Sequence, residues 1–257
     1  METWKSGITD INEDVIHIRG YDVTDLMQNA DFVEVIFLMH QARLPSKGER
    51  RLLNALLVAS SDHGPKSPSS AAARIVASGN RASFEAAVAA GILAIGDAHG
   101  GAGQACMEMI ISGLDLREKE NLTIDECAKR VVADFILEKK RLPGIGHTIH
   151  KRDPRVEVIF KMAESEGLAG DGIIFLQKVE RISSEEIHPL PINIDGALAA
   201  VLFDLGFPPV MAKAIFISGR VVGLSAHVHE ELLREKPMRF QPPVEYDGPT
   251  LRKTLKS

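Results

Sequence analysis

Four glycine- and proline-rich stretches each carry a side chain able to bind an anion or move a proton: SDHGPKSP (61–68), GDAHGGAG (96–103), LPGIGH (142–147) and LPINIDG (190–196). His99 precedes two glycines. Glycine lets the backbone approach a ligand closely, and a histidine there can donate a hydrogen bond to a developing enolate. A histidine satisfied by a carbonyl at a helix junction fits the same residues. Asp195 lies between an apolar loop and an apolar helix. It reads either as a helix N-cap or as a partly buried carboxylate whose proton affinity is raised by desolvation, suited to moving protons on carbon. His147 is followed by Lys151, Arg152 and Arg155. Arginine can clamp a carboxylate through two parallel hydrogen bonds, although a solvated basic turn has the same composition. His63 and Lys66 sit in a loop that also reads as a plain connection. Arg220 enters an apolar helix with Leu224 and Val228, where an arginine otherwise lies over the surface of the core.

Other chemistries find no support. There is no GxxxxGK phosphate loop, no GxSxG nucleophile elbow and no zinc-ligand spacing. His227 and His229 are two residues apart, which puts them on different helix faces and argues against a metal pair. Histidines, one aspartate and arginines are left. That set suits proton transfer beside a carbonyl in an anionic substrate, with no metal.

The elements that must position these groups are helices. Phe84, Val88, Ile92 and Ile95 fall on one helical face. Val131, Val132, Phe135 and Ile136 repeat the pattern, as do Leu198, Val201, Leu202 and Leu205. Ser46 with Glu49, and Thr123 with Glu126, read as capping boxes. The one short alternating stretch, 15–18, carries little weight as a strand. The class is all-α, with the four breaks at helix ends, where free backbone N–H groups meet ligands.

Composition sets the outer limits. Of 257 residues, 45% are hydrophobic and 25% charged, which is ordinary for a globular chain. Lys and Arg number 30 against 35 Asp and Glu, a net charge of −5, so nucleic acid is not an expected partner. No apolar run spans a membrane, and the opening METWKSGITD lacks the apolar core of a signal peptide. Two cysteines, Cys106 and Cys127, form neither a metal pattern nor a disulfide framework. Together these features predict a cytoplasmic protein.

The motifs, taken in order, resemble the citrate synthase superfamily. IRGYDVTDLMQNADFVEVIFLMHQARLPSKGE (18–49) is similar to that family's opening segment. SSDHGP, AHGGA, PGIGH with DPR, NIDG and GRVVGLSAH then follow in the family's order, so the resemblance covers nearly the whole chain. It implies that His99, His147 and Asp195 are catalytic, that His63, Arg155 and Arg220 hold a dicarboxylate, and that Arg239 (in KPMRF) reaches a neighbouring subunit's site. It also implies that the 142–147 backbone (Pro143, Gly144, Ile145, Gly146) wraps the adenine of coenzyme A, with Lys151 or Arg152 at its phosphates. The sequence departs from the family in two places. A single helix, 46–60, stands where citrate synthases carry a long helical insert, and Thr148 stands where they commonly have arginine or a similarly long residue. The shortening and the phrase DHGP resemble the citryl-CoA lyase module of ATP-citrate lyase and the free-standing citryl-CoA lyases.

The resemblance therefore implies a reduced large domain (1–103 and 215–257), a small CoA-binding domain (104–214), and a homo-oligomer of at least two copies. The activity it implies is cleavage of citryl-CoA to acetyl-CoA and oxaloacetate. A synthase that condenses an acyl-CoA with oxaloacetate and hydrolyses the thioester is an alternative, as is a non-catalytic CoA-binding subunit.

Overall fold

The computed structural model describes residues 3–146 and 152–250. Among these residues a small antiparallel sheet, β1 (Thr9–Ile11), β2 (Ile16–Ile18) and β3 (Tyr21–Asp22), precedes eleven helices. The helices are α1 (Val23–Asn29), α2 (Phe32–Gln41), α3 (Lys47–Ser60), α4 (Pro68–Gly79), α5 (Phe84–Leu93), α6 (Ala102–Glu120), α7 (Ile124–Leu137), α8 (Pro154–Ser165), α9 (Asp171–Glu186), α10 (Ile194–Asp204) and α11 (Val210–Arg234). The fold is predominantly helical, as expected. The sheet is the exception: the weak 15–18 signal is a real strand, and it pairs with β1 and β3.

Short polar side chains set the helix starts. The capping boxes at Ser46–Glu49 and Thr123–Glu126 are both formed, and Asp31–Glu34 adds a third at α2. Each satisfies N–H groups that the first helical turn leaves free. The four breaks are the connections between α3 and α4, α5 and α6, α7 and α8, and α9 and α10.

Packing makes α10 the central helix. Ile194 and every residue from Gly196 to Leu202 are buried, and α10 contacts α3, α6, α8, α9 and α11. A large core cluster joins α2, α3 and α6–α10 to the start of α11. A smaller cluster, Ala73, Ala77, Ala87, Leu224 and Val228, joins α4 and α5 to the rest of α11. The 25-residue α11 belongs to both. It begins ten residues before Arg220, so that arginine sits in mid-helix and not at an entry. None of the described helices is long and apolar enough to cross a membrane.

A buried ion cluster ties α4 to α11. Glu231 is fully buried and accepts hydrogen bonds from Arg74 Nε (2.8 Å) and from Arg239 Nε and Nη2 (2.7 and 2.6 Å). Burial opposes the ionisation of Glu231, yet the guanidinium bonds of Arg239 and Arg74 outweigh it and hold its pKa below the ordinary glutamate value. Removing one member of a buried charge cluster leaves the others uncompensated. Glu231→Gln should therefore lower unfolding free energy by about 3 kcal/mol at pH 7, read by urea denaturation. Because the folded-state pKa is depressed, this contribution exists above the unfolded pKa and is lost as pH falls. The gap between wild type and variant should close below about pH 4.

Candidate active site

The four breaks converge. His63, Lys66, His99, Gly146, Arg155, Asn193, Asp195 and Arg220 line one cleft of about 420 Å³, with Phe216 as its apolar wall. The cleft is distinguished by chemistry more than by size. A depression of about 750 Å³ between α6, α7 and the start of α9 holds no histidine, and its Arg117 and Asp171 form an ion pair.

Arg220 is 2% exposed, not a surface residue. Its Nε donates to the Ser60 carbonyl (2.9 Å), its Nη1 donates to Ser69 Oγ (3.1 Å), and its guanidinium lies 4.8 Å from the Phe216 ring centroid. Among the described residues no carboxylate comes within ion-pair distance of it. Arg155, by contrast, is gripped by buried Asp153 through Nε (2.9 Å) and Nη2 (2.7 Å), and it donates Nη1 to the Ala59 carbonyl (3.0 Å).

His99 sits at a tight turn closed by reciprocal backbone bonds with Gly96, both 2.9 Å. Its Nε2 lies 2.9 Å from Ser69 Oγ and 3.4 Å from the Ser69 amide nitrogen. The Ser69 backbone amide can only donate, which makes Nε2 the acceptor, and Ser69 Oγ, itself accepting from Arg220, gives its own hydrogen to the same nitrogen. That direction assigns the imidazole proton to Nδ1. Burial, with Arg220 and His63 nearby, lowers the His99 pKa and keeps the ring neutral at pH 7. A neutral ring with a free Nδ1–H is a hydrogen-bond donor for an enolate.

Asp195 is not the cap of α10. Asn193 is, accepting through Oδ1 from the Asp195 and Gly196 amides (3.0 and 3.2 Å). The helix begins at buried Ile194, two residues earlier than the capping reading of Asp195 required. The Asp195 carboxyl is left free for the cleft. Its proton affinity is raised by burial, against the opposing pull of Arg155 and Arg220. Asn193 also donates Nδ2 to the Gly146 carbonyl (2.7 Å), and its amide donates to the Gly144 carbonyl (3.1 Å). The 142–146 loop is thereby fastened to the α10 start. The approach is so close that a Cβ on Gly196 would stand 2.3 Å from the Gly144 oxygen.

The remaining expected residues divide. Ile145 and Gly146 line a second depression of about 740 Å³, with Lys139, Lys140, Arg141 and Leu190; Gly146 borders both this depression and the cleft. Pro143 faces a groove between α6 and α7, and Gly144 is packed against Cys106. Arg152 is exposed beside α8 and lies outside the cleft. Arg239 is committed to Glu231 and Glu235 and does not line the cleft. His147 and Lys151 lie outside the described residues. Ser69, Asn193, Asp153 and Phe216 also belong to the site or its support, though no pattern in the sequence singles them out. Asn193 carried only a local signal, since asparagine is a favoured N-cap.

The geometry defines a class: a helical protein with a cationic cleft in which a carboxyl of raised proton affinity and a neutral histidine meet. Comparison supplies the family. The model for citrate synthase, C-terminal domain, matches residues 46–241, and the chain belongs to the citrate synthase family. The solved citryl-CoA lyase of Hydrogenobacter thermophilus is 37% identical, with a TM-score of 0.89 over 98% of each chain. Citrate synthase of Heyndrickxia coagulans is 31% identical over 230 residues; the match takes in 87% of this chain but only 57% of that protein. ATP citrate lyase of Methanothrix soehngenii, solved with citrate and coenzyme A, shares the fold, with a TM-score of 0.81 over 97% of this chain and 42% of its own at 22% identity.

Two measurements check the site. Nitrogen NMR of His99 should show the Nδ1-protonated form in wild type and a mixture of tautomers in Ser69→Ala. Asp195 raises a different expectation. A carboxyl whose folded pKa is raised helps stability below the unfolded pKa and loses that help as pH rises through the folded pKa, so at neutral pH its ionised form is a cost. Asp195→Asn should therefore raise unfolding free energy by about 1 kcal/mol at pH 7. Unchanged or lowered stability in calorimetry would contradict the raised proton affinity.

Proposed function

We propose that this chain is a citryl-CoA lyase, cleaving citryl-CoA to acetyl-CoA and oxaloacetate. The observation that carries the reading is the placement of Arg155 and Arg220, cations for a dicarboxylate, beside Asp195 and His99 in one cleft. His63 joins them at the rim as a third contact for the dicarboxylate. The full-length likeness to a citryl-CoA lyase of the same reduced size favours the lyase over a synthase.

The proposed chemistry balances one proton against another. His147, carried from the family resemblance, takes the proton of the citryl hydroxyl as the carbonyl of oxaloacetate forms. The carbon–carbon bond breaks, and its electron pair passes into the acetyl-CoA enolate, whose oxygen accepts a hydrogen bond from His99 Nδ1. Asp195, protonated at the start, then gives its proton to the terminal carbon. The thioester delocalises the charge, so preorganised hydrogen bonds suffice and no metal is required.

Coenzyme A would extend from the cleft past Gly146 into the adjoining depression. Adenine would sit against the 142–146 backbone, and Lys139, Lys140 and Arg141 offer cations for the phosphates alongside Lys151 or Arg152. We assign the CoA-binding part to 104–214 and the rest to the reduced large domain, the two closing to exclude water from the enolate. An assembly of at least two copies belongs to the same proposal.

The alternative, a synthase that hydrolyses citryl-CoA, draws on the likeness to Heyndrickxia coagulans citrate synthase. Supplying citryl-CoA and following oxaloacetate and free CoA separately distinguishes the two. Oxaloacetate without free CoA is expected, and Asp195→Asn should reduce its rate at least about a hundredfold. Free CoA with citrate would install the synthase reading. No turnover, and no exchange of acetyl-CoA methyl protons with deuterated water when oxaloacetate is present, would leave a CoA-binding subunit.

A further inference from the structure

His63 reaches the cleft from a loop with little core of its own, so something else must hold it. One face of α11 does so, a turn at a time. Arg220 Nε donates to the Ser60 carbonyl. Three residues on, Gly223 lies so close to the Ser61 carbonyl that a Cβ there would stand 2.1 Å from its oxygen. One turn further, His227 Nε2 lies 3.0 Å from Asp62 Oδ1. Residues 220, 223 and 227 share one helical face, and they meet residues 60, 61 and 62, the end of α3 and the start of the loop, in succession.

Asp62 carries this grip past His63. While Oδ1 meets His227, Oδ2 accepts from the Gly64 amide at 3.0 Å. The same carboxylate therefore binds α11 on one side of His63 and the backbone on the other. Gly64 has φ +82°, a left-handed turn that the Asp62 bond closes. Burial works against ionisation of Asp62, but the Gly64 and His227 bonds keep its pKa below the ordinary aspartate value, so it is an acceptor at neutral pH.

We infer that His227 is a positioning residue: through Asp62 it fixes the loop that presents His63 to the dicarboxylate. The inference rests on the proposed reading of the cleft as a dicarboxylate site, and it gives the second half of the GRVVGLSAH segment a task there. His227 does not touch the cleft itself, since the residues lining it on α11 are Phe216 and Arg220.

The test uses the intact chain with oxaloacetate as probe in titration calorimetry. His227→Leu should weaken binding roughly three- to tenfold, the worth of one hydrogen bond to a carboxylate near solvent. It should also speed hydrogen exchange at the Gly64 amide. His227→Gln, whose amide nitrogen can replace Nε2 as donor, should restore most of both. Combined with His63→Ala, His227→Leu should cost nothing more, because both changes remove the same contact. Additive losses, or wild-type binding and exchange in His227→Leu, would overturn the inference. A wild type that binds oxaloacetate but leaves citryl-CoA intact would remove the lyase reading and leave this one standing.

Discussion

The constraint on which the rest depends is the buried cation of Arg220. Burying a guanidinium is costly unless its donors are met and its charge is balanced. Here the donors find a carbonyl, a hydroxyl and an aromatic face, but among the described residues no directly paired carboxylate. Asp62 and Asp195 act on it only at a distance. A buried charge without a contact partner is a standing preference for an anion, and the cleft is where that anion can reach it.

Meeting those donors is also what assembles the site. Ser60 ends α3, Ser69 opens α4 and Arg220 sits in the middle of α11, so one side chain fixes three helices in relation to one another. The hydroxyl of Ser69 then transmits the arrangement to His99 by engaging its Nε2. The Glu231 cluster repeats the device further along, holding α4 to α11 with opposite charges. Across the cleft, Asn193 plays the corresponding part, ordering the α10 start and the 142–146 loop in one set of bonds. Both arrangements rest on hydrogen bonds that join separate elements of the chain.

This explains what could be read from sequence. The breaks were legible because glycine and proline end helices for local reasons, and a histidine or aspartate within a break is conspicuous. The capping boxes at Ser46 and Thr123 were legible for the same reason. Partners were not. Nothing local marks Ser69 among five serines between 60 and 70, because its role comes from two helices brought against it. The two readings of Asp195 stayed open for a related cause: two acceptable caps stand two residues apart, and only the folded chain shows that Asn193 takes the role. The N-terminal strands were nearly invisible because β1 is three exposed residues whose pairing supplies no buried face. Arg239 shows the opposite limit. A motif likeness named it as a substrate group, while within its own chain its charge is absorbed by Glu231.

The same electrostatics bear on when the carboxyl should be charged. Asp195 is subject to two opposing influences: burial favours its protonated form, and the Arg155 and Arg220 cations favour its carboxylate. A dianion resting on those arginines cancels the second influence and leaves the first. Occupancy by a dicarboxylate must therefore raise the proton affinity of Asp195 further, in the direction that equips it to protonate an enolate carbon. Loss of the dicarboxylate must lower it again. On the proposed function, substrate and proton are thus coupled through the arginines. Arg155 is the stronger of the two cations at Asp195, with Asp153 acting against it, and Arg220 adds its pull from a buried position. The buried cation that organises the helices is, on the proposed function, also one of the two through which a bound dicarboxylate governs the acid.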